Sequence, residues 1–290
     1  MKKKLCHYSS YMLATALAIL ACGCEREIKF NGEELKPKLV LHCFPESGAP
    51  VRLTLKAGKF FLSQTGSTRE PVAGADVRLW KNGEFAERLR YVSNYENSYY
   101  ESSFRPQPGD EITIRASASG FDPIECTTVM PEPPAALSAE HSGTWKNGIV
   151  CHIRDISTRA EYYRIGAFVE IDDMEFDIPI DSDDMVFGMN ESELFESARN
   201  IYFVFSDELF NGKDYSLKFR LNDLMDDHKR CKVVLRHISK DYYLYVRTVA
   251  AESDEVFSEP VQIYSNVNGG IGILAASTSA VAEVTFGKIR

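Results

Sequence analysis

The densest group of side chains that could bind a metal ion is a run of eight acids in residues 170–184, "EIDDMEFDIPIDSDD". Calcium prefers carboxylate oxygens of this kind. The candidate calcium ligands are Asp181, Asp183 and Asp184. An EF-hand loop beginning at Asp181 would need Gly and Glu where Val186 and Ser192 stand, so that motif is absent. Acids that alternate with apolar residues predict the solvated face of a strand, so we predict no metal and no cofactor, with calcium as the alternative.

Two pairs of residues have side chains that suit zinc. His228 and Cys231 are spaced H-x-x-C, and Cys151 is followed directly by His152. A structural zinc site needs four ligands, and adjacent residues of a strand point to opposite faces. Both pairs are therefore predicted to be ordinary strand residues.

Four cysteines lie beyond the N-terminal region, each in a strand-like segment. They are Cys43, Cys126, Cys151 and Cys231. Cysteine packs well as a small apolar residue, so the sequence predicts buried free thiols. The alternative is one disulfide in each domain, Cys43–Cys126 and Cys151–Cys231.

Catalytic motifs are missing from the sequence. It contains no G-x-S-x-G, no H-E-x-x-H and no phosphate-binding loop, and the "NGGIG" stretch at 268–272 is predicted to serve a tight turn or close strand packing. Two carboxylates could still meet in space for glycoside hydrolysis, because that pairing leaves no local pattern. The sequence therefore favours a protein that is not an enzyme.

Tyrosines form the most conspicuous recognition candidate. The stretch "RYVSNYENSYYESSF" at 90–104 is rich in aromatic residues, and tyrosine offers a large, stiff contact surface with a polar tip. The predicted ligand contacts, for a glycan or a peptide, are Tyr95, Tyr99 and Tyr100. The alternative is that these residues pack within a sandwich.

The elements that must position these residues are mainly short strands. From residue 38 to 130, alternating runs are separated by turn residues, as in "KLVLHCF", "PESGAP" and "VRLTLKA". Such spacing predicts a β-sandwich. The stretch "MPEPPAA" at 130–136 is predicted to be a stiff linker. The second part is again strand-rich, with helical spacing in "SKDYYLYVRTVAAES" and Ser239 as its N-cap.

The N-terminus combines three lysines, an apolar run at 11–21 and the sequence "ACGCEREI". This pattern is typical of a secretory signal peptide, and it resembles a bacterial lipobox, in which a cysteine becomes the lipidated first residue. We predict lipidation at Cys24, where hydrophobicity ends, with Cys22 as the alternative. The apolar run is too short to span a bilayer, so the lipid would provide the membrane contact.

The net negative charge of the chain argues against anionic partners. Cleavage before Cys24 would leave 30 basic and 42 acidic residues in a chain of 267. Such an acidic protein is not expected to bind nucleic acid or to adhere to anionic lipid by charge.

Several stretches together resemble a known family. "PVAGADVRLW" (71–80) looks like the immunoglobulin-like sandwiches of Bacteroidota surface lipoproteins. Three further stretches are "FSDELFNGKDYSLKFRL" (205–221), "ISKDYYLYVRT" (238–248) and "FSEPVQIYSNVNGGIGI" (257–273). In this order, after the lipobox and "EREI", they resemble the family known as domain of unknown function 4249. The resemblance implies a cell-surface outer-membrane lipoprotein that is accessory to a TonB-dependent nutrient transporter, and it supplies no catalytic residues.

The sequence therefore predicts a mainly β chain in five segments. They are a signal peptide (1–23), a lipidated tether (24–37), an immunoglobulin-like sandwich (38–131), a proline-rich linker (132–136) and a β-rich domain with one or two short helices (137–290). A fragment of residues 31–131 is expected to fold alone. The expected function is non-catalytic nutrient binding beside the transporter. The alternatives are a surface hydrolase acting before uptake and a structural or adhesive protein.

Overall fold

The computed structural model describes residues 36–58, 71–94, 97–143, 147–155, 159–171, 174–187, 201–222, 230–251 and 262–286. Within these stretches the chain is mainly β, with eighteen strands, one α-helix and a short 3-10 turn at Met185–Phe187. The predicted fold class, two β-rich units with little helix, is confirmed. No helix in the described stretches has both the length and the apolar character needed to cross a membrane.

The first unit contains two sheets that face each other. Its strands are β1 (Lys38–Cys43), β2 (Arg52–Gly58), β3 (Asp76–Lys81), β4 (Glu84–Arg88), β5 (Arg90–Ser93), β6 (Ser98–Glu101), β7 (Glu111–Ser117), β8 (Ile124–Val129) and β17 (Ile271–Leu274). Sheet I has the order β17-β1-β2-β6-β5, and sheet II has the order β4-β3-β7-β8. Strand β17 runs parallel to β1, whereas the other recorded pairs of these sheets are antiparallel.

Alternating side chains explain why these sheets pack together. In β1, Leu39 and Leu41 are buried while Val40 between them is only partly buried, and β3 shows the same alternation at Val77 and Leu79. The inward faces of both sheets meet in one apolar core. A tight turn joins β3 to β4, where Asn82 and Gly83 both have positive φ, 51° and 81°. That conformation is the one a two-residue hairpin turn requires.

The second unit also pairs two sheets around a core. Its strands are β9 (Ala136–His141), β10 (Gly148–Arg154), β11 (Tyr162–Ile171), β12 (Met174–Ile178), β13 (Ile180–Asp181), β14 (Tyr202–Ser206), β15 (Asp214–Leu221), β16 (Arg230–Ile238) and β18 (Ser277–Thr285). Sheet III has the order β13-β15-β10-β9. Sheet IV has the order β12-β11-β16-β18, with β14 also paired to β11. Aromatic rings fill much of the core. Phe187 and Phe203, for example, are stacked with their ring centroids 4.4 Å apart.

The helix α1 (Lys240–Ala250) connects the two units. The Ser239 hydroxyl accepts a hydrogen bond from the backbone N–H of Tyr242 at 3.3 Å, so the predicted helix and its N-cap are confirmed. Its buried face packs against sheet IV and against Ile273, which is in β17 of sheet I, and Ala275, which follows that strand. The helix therefore lies at the junction of both sandwiches.

The C-terminal segment does not stay within the second unit. Strand β17 pairs with β1, and the first core includes Val267, Leu274 and Ala276. The sequence alone places this segment in the second unit, as part of residues 137–290. It could not do otherwise, because the alternation of a strand does not reveal which strand it pairs with. Gly272, in β17, has a φ of 118°, and a Cβ there would collide with the carbonyl oxygen of Leu41. The prediction that these glycines serve turns and close strand packing is confirmed.

Candidate ligand-binding cleft

Two of the three acids predicted as calcium ligands are engaged by protein donors. Asp184 accepts the Tyr215 hydroxyl at 2.5 Å and the backbone N–H of Lys218 at 3.1 Å. Asp181 pairs with Arg220 at 2.7 Å, and Asp183 is exposed. Within the described stretches, no group of three or more His, Cys, Asp or Glu residues is placed to hold a metal ion. Asp181 and Asp184 therefore tie β13 and the turn that follows it to β15.

The four predicted strand cysteines are buried and free, as expected. Burial raises the pKa of Cys126 and of Cys231 to about 12. Cys151 is buried while His152 is exposed, with its Nδ1 3.0 Å from the Ser216 hydroxyl. The two adjacent side chains therefore point to opposite faces, as predicted. His228 lies outside the described residues.

The three predicted recognition tyrosines have different environments. Tyr100 is only 2% exposed, so it belongs to the core and cannot contact a surface ligand. The guanidinium of Arg52 lies 5.4 Å from the Tyr99 ring, which is half-buried on sheet I. Tyr95 lies outside the described residues, as do Cys22 and Cys24. The tyrosines do not form one recognition surface in the described structure.

A large cleft lies instead on the outer face of sheet II. Its volume is about 720 Å³, within the range of small-molecule sites. Its polar and aromatic lining comes from three strands and one returning segment: Asp76, Arg78, Trp80, Arg115, Glu125 and Asn268. The strands position these side chains because every second residue of β3 and β7 points away from the core.

Strand register places three arginines in a row across this face. Arg78 lies opposite Arg88 on β4 and opposite Arg115 on β7, and Arg115 lies opposite Glu125 on β8. Like charges directly opposite each other are unfavourable unless they are compensated. Asp76 provides that compensation at one end, 2.7 Å from Arg78 and 2.8 Å from Arg88. Glu125 pairs with Arg115 at the other end.

These contacts hold Asp76 in its ionised form. The hydrogen bond from Arg78, helped by the charges of Arg78 and Arg88, lowers the pKa of the Asp76 carboxyl despite partial burial. A carboxylate in this state accepts hydrogen bonds and is a poor proton donor. The cleft therefore offers fixed donors and acceptors in close alternation.

Trp80 provides the aromatic surface of the cleft. The Arg115 guanidinium lies 4.5 Å from the centroid of its ring, and Phe85 meets the ring edge-on at 5.7 Å. Phe85 is 58% exposed. An aromatic ring beside charged donors suits a ligand with both apolar faces and hydroxyl or amide groups.

The segment before β17 closes one side of the cleft. Asn268 and Glu125 exchange two backbone hydrogen bonds. The N–H of Asn268 donates to the carbonyl oxygen of Glu125 at 2.8 Å, and the N–H of Glu125 donates to the carbonyl oxygen of Asn268 at 3.1 Å. A Cβ at Gly269 would collide with the carbonyl oxygen of Pro123, so glycine permits this close approach. Sequence reasoning missed the cleft, although the alternation of "DVRLW" was a signal that Asp76, Arg78 and Trp80 share the outer face.

A family model matches most of the chain. The family model described as "Domain of unknown function (DUF4249)" matches residues 25–283. No curated protein matches the chain.

Two of the solved structures that match are distant likenesses. A β-glucuronidase of Parabacteroides merdae has 12% identity and a TM-score of 0.21, covering 69% of this chain and 24% of its own. The same enzyme with glycerol in its active site gives 12% identity and a TM-score of 0.21, covering 69% and 23%. The chain thus spans about a quarter of the length of these enzymes, and a likeness this low carries no argument.

Proposed function

The chain belongs to the family described as domain of unknown function (DUF4249), and on that premise we propose that it is a non-catalytic surface lipoprotein that binds a nutrient for a TonB-dependent outer-membrane transporter. The observation that carries nutrient binding is the cleft of sheet II, where Trp80 and Arg115 lie 4.5 Å apart beside paired carboxylates.

The cleft suits a glycan better than a peptide. A sugar has an apolar face that stacks on an indole ring, and its hydroxyls both donate and accept hydrogen bonds. Arg78 and Arg115 supply donors, and Asp76 and Glu125 supply acceptors, on the same face as Trp80. A short peptide is the second ligand class, since its amide groups use the same partners.

The electrostatics of the cleft favour recognition over hydrolysis. Glycoside hydrolysis needs a carboxylic acid that keeps its proton near neutral pH. Asp76 has a lowered pKa beside Arg78 and Arg88, and Glu125 forms an ion pair with Arg115. Ion-paired carboxylates of this kind are better suited to hold a ligand than to protonate a leaving group.

A lipid anchor would make weak binding sufficient. A modified Cys24 would hold the protein to the outer membrane, and residues 24–37 would form the tether. A tethered binding module raises the local concentration of its ligand beside a neighbouring transporter. The proposed partners are therefore the transporter, the membrane through the lipid, and a glycan or peptide.

Fluorescence of Trp80 can test ligand binding directly, because the chain has only two tryptophans. A Trp145→Phe variant of residues 25–290 leaves Trp80 as the only indole, and it can be titrated with defined oligosaccharides and tripeptides. We expect a saturable change for an oligosaccharide, lost in Arg115→Ala and retained in the control Arg154→Ala on sheet III. Conversion of the bound sugar to products by the purified protein would instead support the hydrolase.

A further inference from the structure

A second pair of arginines lies on the outer face of sheet IV and lacks the compensation found in sheet II. Arg164 on β11 and Arg236 on β16 are direct cross-strand partners. Side chains at such positions start about 5 Å apart, so two cations there repel each other. Among the described residues, Arg164 forms no ion pair with a carboxylate, unlike each arginine of the sheet II row.

The contacts of Arg164 fix its position without neutralising its charge. Its guanidinium lies 4.0 Å from the centroid of the Tyr202 ring, and its Nη1 donates to the Tyr242 hydroxyl at 3.2 Å. Its Nε is buried and has no hydrogen-bond partner in the described structure. A buried donor without an acceptor is costly, so this atom favours an acceptor that the chain does not supply.

Among the described residues, the one counter-ion of Arg236 is distant. Its Nε lies 3.8 Å from an oxygen of Glu46, which is longer than a charge-assisted hydrogen bond of about 2.8 Å. The same oxygen accepts the hydroxyl of Ser279 at 2.7 Å. Both guanidinium groups therefore retain capacity to bind an anion.

The two arginines line a cavity of about 300 Å³. Gly166 is part of its lining. A Cβ at this position would lie 2.9 Å from the carbonyl oxygen of Ile201, so glycine allows the backbone at Ile201 to lie close against β11. Phe168 adds an apolar wall. The volume suits a ligand the size of an amino acid or a dipeptide.

Acids occupy the other end of the cavity. Asp177 lies opposite Phe168, four residues along β11 from Arg164, a rise of about 13 Å. Glu175 also lines the cavity but lies 3.9 Å from the ammonium of Lys232, so Asp177 is the acid that the proposal uses; in the described structure neither acid forms an ion pair with Arg164 or Arg236. The cavity therefore has a cationic end and an anionic end.

We propose that this cavity binds a short zwitterionic peptide, with its carboxylate between Arg164 and Arg236 and its ammonium group facing Asp177. A carboxylate accepts paired hydrogen bonds from guanidinium groups and removes the repulsion between the two arginines. The site is on the second unit and does not depend on the function proposed for the sheet II cleft.

Diglycine is the probe that tests this site, with residues 25–290 as the protein and titration calorimetry at low ionic strength as the measurement. Glycylglycinamide lacks the carboxylate, and N-acetyl-diglycine lacks the ammonium group. We expect saturable binding of diglycine, no detectable binding of glycylglycinamide, and weaker binding of N-acetyl-diglycine. Equal binding of diglycine and its amide would overturn the proposal.

Arg236→Gln is the decisive variant, because Arg164 also packs against Tyr202 and its loss could impair folding. We expect diglycine affinity to fall about tenfold or more, as for the loss of a charged hydrogen bond. The control Arg154→Gln, an exposed arginine paired with Asp214 on sheet III, should bind as wild type does. Without ligand, Arg236→Gln should unfold at the same temperature as wild type or higher, because it relieves repulsion. Unchanged diglycine affinity in Arg236→Gln would sink the assignment.

Discussion

The backbone N–H of Ala75 donates a hydrogen bond of 3.0 Å to the hydroxyl of Tyr100, which in turn donates to the carbonyl oxygen of Val72 at 2.7 Å. Tyr100 thus ties strand β6 to the loop that leads into β3. Asp76, which compensates two arginines of the cleft, follows Ala75 directly. A buried tyrosine of one sheet therefore holds the start of the binding face of the other.

Removing this hydroxyl should destabilise the fold. In Tyr100→Phe the Ala75 N–H loses its acceptor in a buried setting, and we expect a loss of about 1–3 kcal/mol in the free energy of unfolding. Urea denaturation of residues 25–290 measures it. Tyr99→Phe is the matched control, since Tyr99 is half-buried, and it should change stability by less than about 0.5 kcal/mol. Equal midpoints for Tyr100→Phe and wild type would show that the hydrogen bonds contribute nothing.

Asp110 should make stability depend on pH below neutrality. Burial alone would raise its pKa, but the backbone N–H of Gln107 at 2.9 Å and the ammonium of Lys81 at 3.0 Å together lower it. A lowered pKa contributes stability above the unfolded value, about 3.9, and this contribution is lost as pH falls through the folded value. The stability difference between wild type and Asp110→Asn should therefore shrink as pH falls from 6 to 3.

Asp207 should show the opposite trend and serves as the comparison. It is 1% exposed, and burial, reinforced by the charges of Asp155 and Glu161, raises its pKa despite a backbone hydrogen bond from Glu161. Between the unfolded and folded pKa values the native state binds more protons, so its stability falls as pH rises. Asp207→Asn should gain stability relative to wild type as pH rises from 4 to 7. The same trend in both variants would contradict these assignments.

The buried thiols should resist modification in the folded protein. Burial raises the pKa of Cys126 and of Cys231 to about 12, and only thiolates react readily with disulfide reagents. A soluble chain from residue 25 contains only the four buried cysteines. We expect no reaction with a disulfide reagent in buffer and reaction of four thiols in denaturant. Fewer than four in denaturant, restored by a reductant, would instead reveal the disulfide pairing weighed from the sequence.

A fragment of residues 31–131 should not fold stably, contrary to the expectation from sequence. It lacks β17, which covers the edge of β1, and three side chains of the first core, Val267, Leu274 and Ala276. Their burial contributes on the order of 5 kcal/mol, similar to the whole stability of a small domain. Circular dichroism with thermal melting measures this. A cooperative melt of the fragment like that of residues 25–290 would show that the first unit is independent of β17.

Local features of the fold could be read from the sequence. The alternation of "DVRLW" gave β3 and its two faces, and Ser239 marked the start of α1, because strand period and N-cap chemistry are local properties. The return of β17 to β1 could not be inferred, since any strand of suitable alternation could pair there. Tyr100 illustrates the same limit, because alternation did not show that β6 turns it inward.

The cleft required knowledge of register. Trp80 could be placed on an outer face from Val77 and Leu79 alone. Arg115 approaches Trp80 because β3 pairs with β7. Asn268 reaches the cleft because it pairs with Glu125, a residue 143 positions away along the chain. Long-range pairings of this kind leave no spacing signal in the sequence.

The central claim is that the chain is a recognition module beside a transporter, and affinity purification from the native membrane tests it most directly. The tagged full-length protein would be extracted in mild detergent and its partners identified by mass spectrometry, with a Cys24→Ala variant as the unanchored control. We expect a TonB-dependent transporter to co-purify in near-stoichiometric amount with the anchored protein and to be depleted with Cys24→Ala. Purification of the anchored protein without any such transporter would contradict the account.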